Sequence, residues 1–267
     1  MASRPAWLEL LGNAGPPVGA FVVFVVVWQA VVTALGVPKY LLPAPTDIVA
    51  AWIDNADIIV IALTSTFISA LLGFGLSIVV GLIAALIMSQ NKLLERSLYP
   101  YAIMLQTIPI VAIAPLIVIW VGAGMNAVVL IAFIISLFPI ISNATAGLTS
   151  TDHNLISMFE LYNASWWQRM VKLKLPYAMP YLMTGLRISS GLAVIGAIVG
   201  EFIAGIGGLR GGLGYVIISA YNRVQIPYLF AAALSSALLG IVIFVAVSIV
   251  SGRFLRHWHE SAVRREA

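Results

Sequence analysis

The residue types that could do chemistry are concentrated in one polar segment, residues 152–176, which lies between two long apolar stretches. Its charged residues include Glu160, Arg169, Lys172 and Lys174. Apolar residues recur within it at steps of three and four, a spacing that predicts one face of an amphipathic helix: Leu155, Phe159, Tyr162, Trp166, Met170 and Leu173. The segment is too polar to cross a bilayer, so its chemistry is that of a binding surface. Lipid headgroups or a groove in another protein would both suit it.

A turn inside the polar segment favours the protein groove over the lipid surface. Asparagine tolerates left-handed backbone better than most residues other than glycine, so Asn163 is predicted to divide the helix in two. Pro176 cannot donate a helical hydrogen bond and is predicted to end the second half. A helix, a turn and a second helix make a compact shape that a groove could hold.

No arrangement of residues predicts catalysis or a cofactor bound by this chain. The chain has no cysteine, which excludes disulfides and thiolate metal ligands, and its three histidines lack the spacing of metal ligands. The glycine-rich stretch at 205–215 follows an apolar span and contains neither GxxxxGK[ST] nor GxGxxG, so it does not predict a phosphate-binding loop. Enzymatic activity is therefore not predicted.

One acidic residue, Glu201, falls inside an apolar span. An ionisable group in a membrane span is functional by default and needs a partner, for which Arg187, Arg210 and Arg223 are the candidates. Glu201 is also expected near the outer interface, where a charge costs little. A role in transport or gating and a plain interfacial position both stay open.

The composition places these residues in a membrane. The chain is 61% hydrophobic and only 9% charged, whereas soluble domains carry roughly a quarter charged residues. Six spans are predicted, the second with a helical lead-in from residue 58: 18–37, 71–88, 101–121, 127–147, 179–204 and 229–250. The first is expected to be a retained helix, because no small-x-small cleavage site follows it as in a signal peptide.

The third predicted span contains two prolines, Pro109 and Pro115, which free backbone carbonyls that neighbours or water must satisfy. Gln106 and Thr107 beside the first proline are therefore candidates for a water-filled path. A kinked packing helix would explain the prolines equally well. Asn143, near the end of the fourth span, and Glu201 complete the candidate pathway residues.

The basic residues predict the orientation. With both termini and the polar segment in the cytoplasm, eleven of the 14 lysines and arginines lie inside, and only Lys39, Arg210 and Arg223 lie outside. This strong bias predicts a multi-pass membrane protein with both termini in the cytoplasm.

The polar segment resembles the cytoplasmic signature of binding-protein-dependent ABC importer permeases. That signature reads Glu-Ala-Ala, three residues, Gly, nine residues, then Ile-x-Leu-Pro. Asn163-Ala164-Ser165-Trp166 and Leu173-Lys174-Leu175-Pro176 match its second half when Asn163 takes the place of the glycine. The first half departs from it, because Ser157, Met158 and Phe159 occupy the Glu-Ala-Ala positions. Stretches at 42–45, 109–122, 185–187 and 201–204 are similar to the nitrate, sulfonate and taurine importer group.

The resemblance implies that the segment is a coupling helix seated in a groove of an ATP-binding cassette ATPase. The residues it assigns to coupling are Ser157, Phe159, Glu160, Tyr162, Asn163, Ala164, Ser165, Trp166, Arg169, Leu173 and Pro176. It further implies that ATP and magnesium bind to that ATPase, that an external binding protein delivers the solute, and that a second permease copy completes the pathway. No nucleic-acid partner is expected.

The predicted fold is an all-α integral membrane protein of about six transmembrane helices, with the coupling helix between spans four and five. Residues 1–57 form the lead, first span and external connection; 58–250 form the permease core; 251–267 form a basic cytoplasmic tail. By resemblance, the solute is a small anion such as nitrate, bicarbonate or a sulfonate, or a small organic acid or vitamin precursor. The spans show no ring of basic residues, which argues against a fixed anion site.

Two other classes of protein remain. A self-contained secondary transporter or channel usually buries charges at the midplane or shows inverted repeats, and neither is evident here. A membrane anchor for a cytoplasmic partner would not explain the proline-broken third span.

Overall fold

The computed structural model describes residues 6–205 and 211–256, with side chains for residues 15–205 and 211–255, and all regular structure in these ranges is helical. The helices in chain order are α1 (Ala6–Ala34), α2 (Pro45–Asp54), α3 (Ala56–Met88), α4 (Lys92–Thr107), α5 (Ile110–Val121), α6 (Met125–Thr149), α7 (His153–Leu161), α8 (Trp166–Arg169), a π-helical turn (Met170–Lys174), α9 (Leu175–Ala204), α10 (Leu213–Asn222) and α11 (Ile226–Arg256). Within the described ranges, 5 helical stretches are long and apolar enough to cross a membrane, and the bent pair α4–α5 raises the number to 6. The predicted all-α membrane fold is confirmed.

The centre of the molecule is a close packing of α3, α6 and α9. Small residues let these backbones approach: Gly73 and Gly196 both lie against Ala132, and Gly200 lies against Val128. Because lipid is as apolar as a leucine side chain, helices in a membrane associate through such close contact. Gly75, also in α3, has open space beside it.

The second span differs from its prediction. It is one unbroken helix of 33 residues, Ala56–Met88, and not a lead-in followed by a span from residue 71. At 1.5 Å per residue it is about 50 Å long, which exceeds the roughly 30 Å of a bilayer's hydrocarbon core. The outer part of α3 therefore extends beyond the hydrocarbon and packs with α10.

The third span is sharply broken, and only one of its two prolines is responsible. Helices α4 and α5 meet at 95°. Pro109 stands at the break, where Ile108 before it has extended backbone, as steric conflict with a following proline requires. Pro115 lies inside α5 without ending it, so the span has no second break there. Pro115 is the sixth residue of α5, where its missing N–H removes one backbone hydrogen bond and leaves the rest of the helix intact.

The predicted connections also contain helices. Within the external connection, α2 packs on α11, and the Trp52 indole Nε1 donates to Ser235 Oγ at 3.1 Å. In the link after α9, Leu213–Asn222 forms α10. Residues 206–210, with the predicted partner Arg210, and the basic tail from 257 lie outside the described residues.

The predicted stop at Pro176 is wrong. The chain runs helically from Trp166 to Ala204 without a break. The Leu175 N–H donates to Met170 O, five residues back, so the preceding turn is a π-helix. Pro176 then falls in the first turn of α9, where a proline is tolerated. The second half of the polar segment is thus a direct extension of the fifth span.

Candidate functional site

The polar segment folds as a helical hairpin whose turn is fixed by local hydrogen bonds. Asp152 Oδ1 accepts from the Asn154 N–H at 2.8 Å and caps α7. Asn163 has the predicted left-handed backbone, with φ of 49°. Ser165 and Gln168 then cap α8 reciprocally, each side chain accepting from the other residue's N–H. Asn163, Ala164 and Ser165 therefore shape the hairpin.

Two side-chain bonds hold the hairpin in place. Arg169 Nη1 lies 2.8 Å from Glu160 Oε1 and joins its two arms. Trp166 Nε1 donates to Gln90 Oε1 at 2.9 Å, which ties the hairpin to the loop between α3 and α4. An exposed ion pair contributes little stability, about 0–1 kcal/mol. Its effect here is to fix the angle between the arms.

The predicted apolar stripe divides into buried and exposed residues. Met170 and Leu173 are buried, and Met170 packs with Ala144, Leu148 and Ala178. Pro176, Ser157 and Phe159 are half-buried. Met170 and Leu173 anchor the hairpin on the membrane helices, so their side chains are not available to a partner.

The exposed apolar residues gather at the hairpin tip. Leu161 is 83% exposed, Tyr162 82% and Trp167 69%. We call these three residues the tip patch. Sequence reasoning identified only Tyr162 of the three, because Leu161 and Trp167 lie off the three-and-four spacing. The turn at Asn163 brings them to one end of the hairpin. An exposed cluster of large apolar side chains among polar residues is typical of a partner-binding surface.

The candidate pathway residues do not converge within the chain. Gln106, Thr107 and Pro109 lie exposed together at the α4–α5 bend, and Pro115 is exposed on α5. Asn143 is half-buried on α6, where its amide donates to Pro139 O at 2.8 Å. Gly185 packs against Asn143. Glu201 is 16 residues further along α9, so Asn143 and Glu201 are separated by about 24 Å along the helix axis. Their common role in a pathway stays a prediction.

Glu201 is buried, with 3% of its surface exposed, in the last turn of α9. Its Oε2 accepts from the Thr66 hydroxyl and from the Gly214 N–H, both at 2.9 Å. Thr66 Oγ1 also accepts from the Leu213 N–H at 2.8 Å. The carboxylate thus joins α3, α9 and the N-terminus of α10, where the helix dipole favours negative charge.

The arginines proposed for Glu201 are not its partners among the described residues, because neither Arg187 nor Arg223 forms an ion pair with it. Its position near the end of the span is as predicted, but burial in protein replaces the predicted interfacial exposure. The other carboxylate oxygen, Oε1, has no hydrogen-bond partner among the described residues. Glu201 contributes to the lining of a cavity of about 680 Å³, with Thr64, Ser69 and Asn126.

Replacing Glu201 by alanine is expected to destabilise the protein, because the substitution leaves the buried Gly214 N–H without its acceptor, while the Thr66 hydroxyl can still donate to Ala62 O. The loss is about 1–3 kcal/mol for such a group. Thermal unfolding in detergent, followed by size-exclusion fluorescence, measures it. Asp54→Ala, which removes an exposed carboxylate, should leave the midpoint unchanged. An unchanged midpoint for Glu201→Ala would show that the three-helix junction does not depend on this carboxylate.

Comparison with known proteins places this geometry in a family. The profile of the family described as "Binding-protein-dependent transport system inner membrane component" matches residues 77–265. The formylaminopyrimidine transport permease of Halalkalibacterium halodurans is 36% identical over 85% of this chain and 89% of its own length. The riboflavin transport system permease of Chloroflexus aurantiacus is 34% identical over 92% and 91%. A putative aliphatic sulfonates permease of Escherichia coli is 30% identical over 98% and 97%.

Solved structures share the fold. An inward-facing methionine ABC transporter chain superposes with a TM-score of 0.56 at 20% identity, covering 77% of this chain and 96% of that one. An amino acid ABC transporter chain gives 0.58 at 19% identity, covering 78% and 97%. The resemblance seen in the polar segment therefore extends over most of the chain. The protein belongs to the binding-protein-dependent transport system inner membrane components, and it is a transmembrane permease subunit of an ABC importer, a transport subunit and not an enzyme.

Proposed function

We propose that the tip patch docks on a separate ATP-binding cassette ATPase and carries the movement of that ATPase into the membrane helices. The observation that supports this most directly is the exposure of Leu161, Tyr162 and Trp167 on a hairpin that is firmly anchored at its base. Apolar side chains on a rigid projection suit a groove better than a flat lipid surface. ATP and magnesium would then bind to the ATPase and not to this chain.

The continuous helix from Trp166 to Ala204 supports a mechanical role. A displacement at the tip passes along α8, the π-turn and α9 without a flexible joint. α9 is also the helix that packs most extensively on α6. Movement of the hairpin would therefore tilt α9 with its neighbours and reorient the pathway, as alternating access requires.

The charge distribution supports a cytoplasmic position for the hairpin and both termini. Eleven of the 14 basic residues fall on that side in the proposed orientation, as the positive-inside rule predicts. The ATPase would then lie in the cytoplasm and a solute-binding protein on the other side of the inner membrane. A second copy of this chain would complete the pathway.

The solute belongs to a class of small molecules. Relatives are described as permeases for formylaminopyrimidine, riboflavin, aliphatic sulfonates, nitrate and bicarbonate. These names support a small anion or a small heterocyclic vitamin precursor, delivered by the external binding protein.

Site-directed cross-linking tests the docking. The chain has no cysteine, so Leu161→Cys introduces a single thiol that can carry a maleimide photo-cross-linker in membranes of cells expressing the whole transporter. We expect a covalent adduct with a protein that mass spectrometry identifies by its Walker sequence. Tyr40→Cys, exposed in the external connection, is the matched control and should give no such adduct. Lipid adducts alone from Leu161→Cys would contradict the proposal.

A further inference from the structure

Arg187 lies part-way along α9, within the helical bundle. Two residues before it, Gly185 packs against Asn143 and Pro139 of α6. From that register, Arg187 lies about 12 Å from the Thr149 end of α6, a helix about 37 Å long. The guanidinium thus lies at the level of α6 that is about one third of the helix length from its Thr149 end.

This guanidinium has no partner among the residues that the structure describes. Arg187 is half-buried, its Nε is fully buried, and Nε has no hydrogen-bond acceptor. The acid on its own helix, Glu201, is about 21 Å further along α9. A charge in a membrane span is costly and is retained where it meets a counter-charge or a ligand.

A second unpaired group stands on the facing helix. Ser248 Oγ of α11 is also buried without a hydrogen-bond partner among the described residues. Val194 of α9 faces Gly240 of α11. The helices α9 and α11 run in opposite directions. Measured along the helix axes towards the end that carries the polar segment, Arg187 lies about 10 Å beyond Val194, and Ser248 lies about 12 Å beyond Gly240. The two groups therefore lie at the same level.

Both residues also lie on the faces that α9 and α11 turn towards each other. Gly191, Val194 and Ile198 line a groove with Ala237, Gly240 and Phe244. Arg187 continues the α9 row by one helical step before Gly191, and Ser248 continues the α11 row by one step after Phe244. The groove is lined largely by apolar side chains, and the two unpaired donors lie on these rows just beyond its polar-segment end.

We propose that Arg187 and Ser248 form an oxyanion-binding site within the membrane, and that its ligand is the carboxylate, sulfonate or similar group of the transported solute. A guanidinium and a hydroxyl both donate hydrogen bonds, and the planar fork of arginine matches an oxyanion. One cation with one hydroxyl binds weakly enough to release its ligand, as a transport site must. The inference rests on the proposed transport function and narrows its solute to oxyanions.

Binding is measured on the full chain in dodecyl maltoside, a detergent without phosphate, by the thermal unfolding midpoint. The probes are sodium ethanesulfonate, benzoate and nitrate, each compared with sodium chloride at equal ionic strength. A parallel arm adds phosphatidylglycerol, since a lipid phosphate has the same chemistry. We expect at least one oxyanion to raise the midpoint of the parent protein. For Arg187→Gln the concentration required should be at least about 10-fold higher, as expected for the loss of a charge-assisted hydrogen bond.

Ser248→Ala is a second variant that tests the site if Arg187→Gln does not fold. It should raise the oxyanion concentration required to shift the unfolding midpoint about 3- to 10-fold. Arg253→Gln, on the same helix, should respond as the parent does. A response to phosphatidylglycerol alone, lost in Arg187→Gln, would confirm the oxyanion site and assign it to lipid. Equal responses of the parent, Arg187→Gln and Ser248→Ala to every probe would overturn the proposal. Cross-linking at Leu161 does not involve Arg187, so the docking proposal stands or fails separately.

Discussion

Leucine in place of Gly196 is expected to prevent formation of a stable, monodisperse protein. A Cβ at this position would come 2.7 Å from the Ala132 Cα, a backbone atom of α6. Backbone cannot move aside as a side chain can, so α6 and α9 must separate along their contact. Overpacking of a core costs about 1–3 kcal/mol even where neighbours adjust, and here the adjustment would disturb the central helix pair. Size-exclusion fluorescence of the detergent extract measures the outcome.

Gly191 is the matched control for this substitution. It lies in the same helix and has no atom within 4 Å of a built Cβ. Gly191→Leu should therefore give a monodisperse peak with a midpoint close to that of the parent. If Gly196→Leu behaved in the same way as Gly191→Leu, the α6–α9 packing described above would be incorrect.

Aspartate in place of Tyr162 is expected to leave a folded permease that no longer retains an ATPase. Tyr162 is 82% exposed, so the substitution removes no packing within the chain. At a docked interface, it would delete an aromatic contact and bury a charge. Truncating an aromatic hot spot costs 2 kcal/mol or more, so the recovered ATPase should fall at least about 10-fold.

Quantitative co-purification from solubilised membranes measures this loss, with the ATPase-to-permease ratio as the readout. Tyr40→Asp changes an exposed tyrosine, 67% exposed, in the external connection and should keep the parent ratio. Retention of the ATPase by Tyr162→Asp at the parent ratio would exclude the tip patch as the docking surface.

Hydrophobicity was sufficient to predict five long apolar helices, with the bent pair α4–α5 at the place of the sixth predicted span, because a bilayer imposes the length and polarity of any helix that crosses it. Asn163 was also predictable, since its left-handed backbone is a local preference. The effect of each proline on its helix could not be predicted from the sequence. Pro109 breaks its span, whereas Pro115 lies in the middle of α5 and Pro176 lies in the first turn of α9, and neither ends its helix. The difference depends on where each helix begins and, at Pro176, on a π-turn that no residue pattern indicated.

The partners of buried polar groups could not be predicted from the sequence, for a different reason. Glu201 binds Thr66, which is far away in the chain, and the backbone of Gly214, whose identity carries no sign of this contact. The exposed tip of the polar segment was only partly predicted, because helical spacing cannot show that Met170 and Leu173 face the chain's own core while Leu161 faces outward. Tertiary packing decides which part of an amphipathic face remains available.

The most direct test of the coupled-transport account is uptake by proteoliposomes. Vesicles containing this chain alone are compared with vesicles containing it together with its ATPase, each with and without internal ATP and external binding protein. The labelled solutes are ethanesulfonate, benzoate and nitrate. We predict uptake only with the ATPase, internal ATP and binding protein together, and its loss with Tyr162→Asp. Solute uptake by the chain alone, independent of ATP, would contradict the account and identify a self-contained transporter or channel.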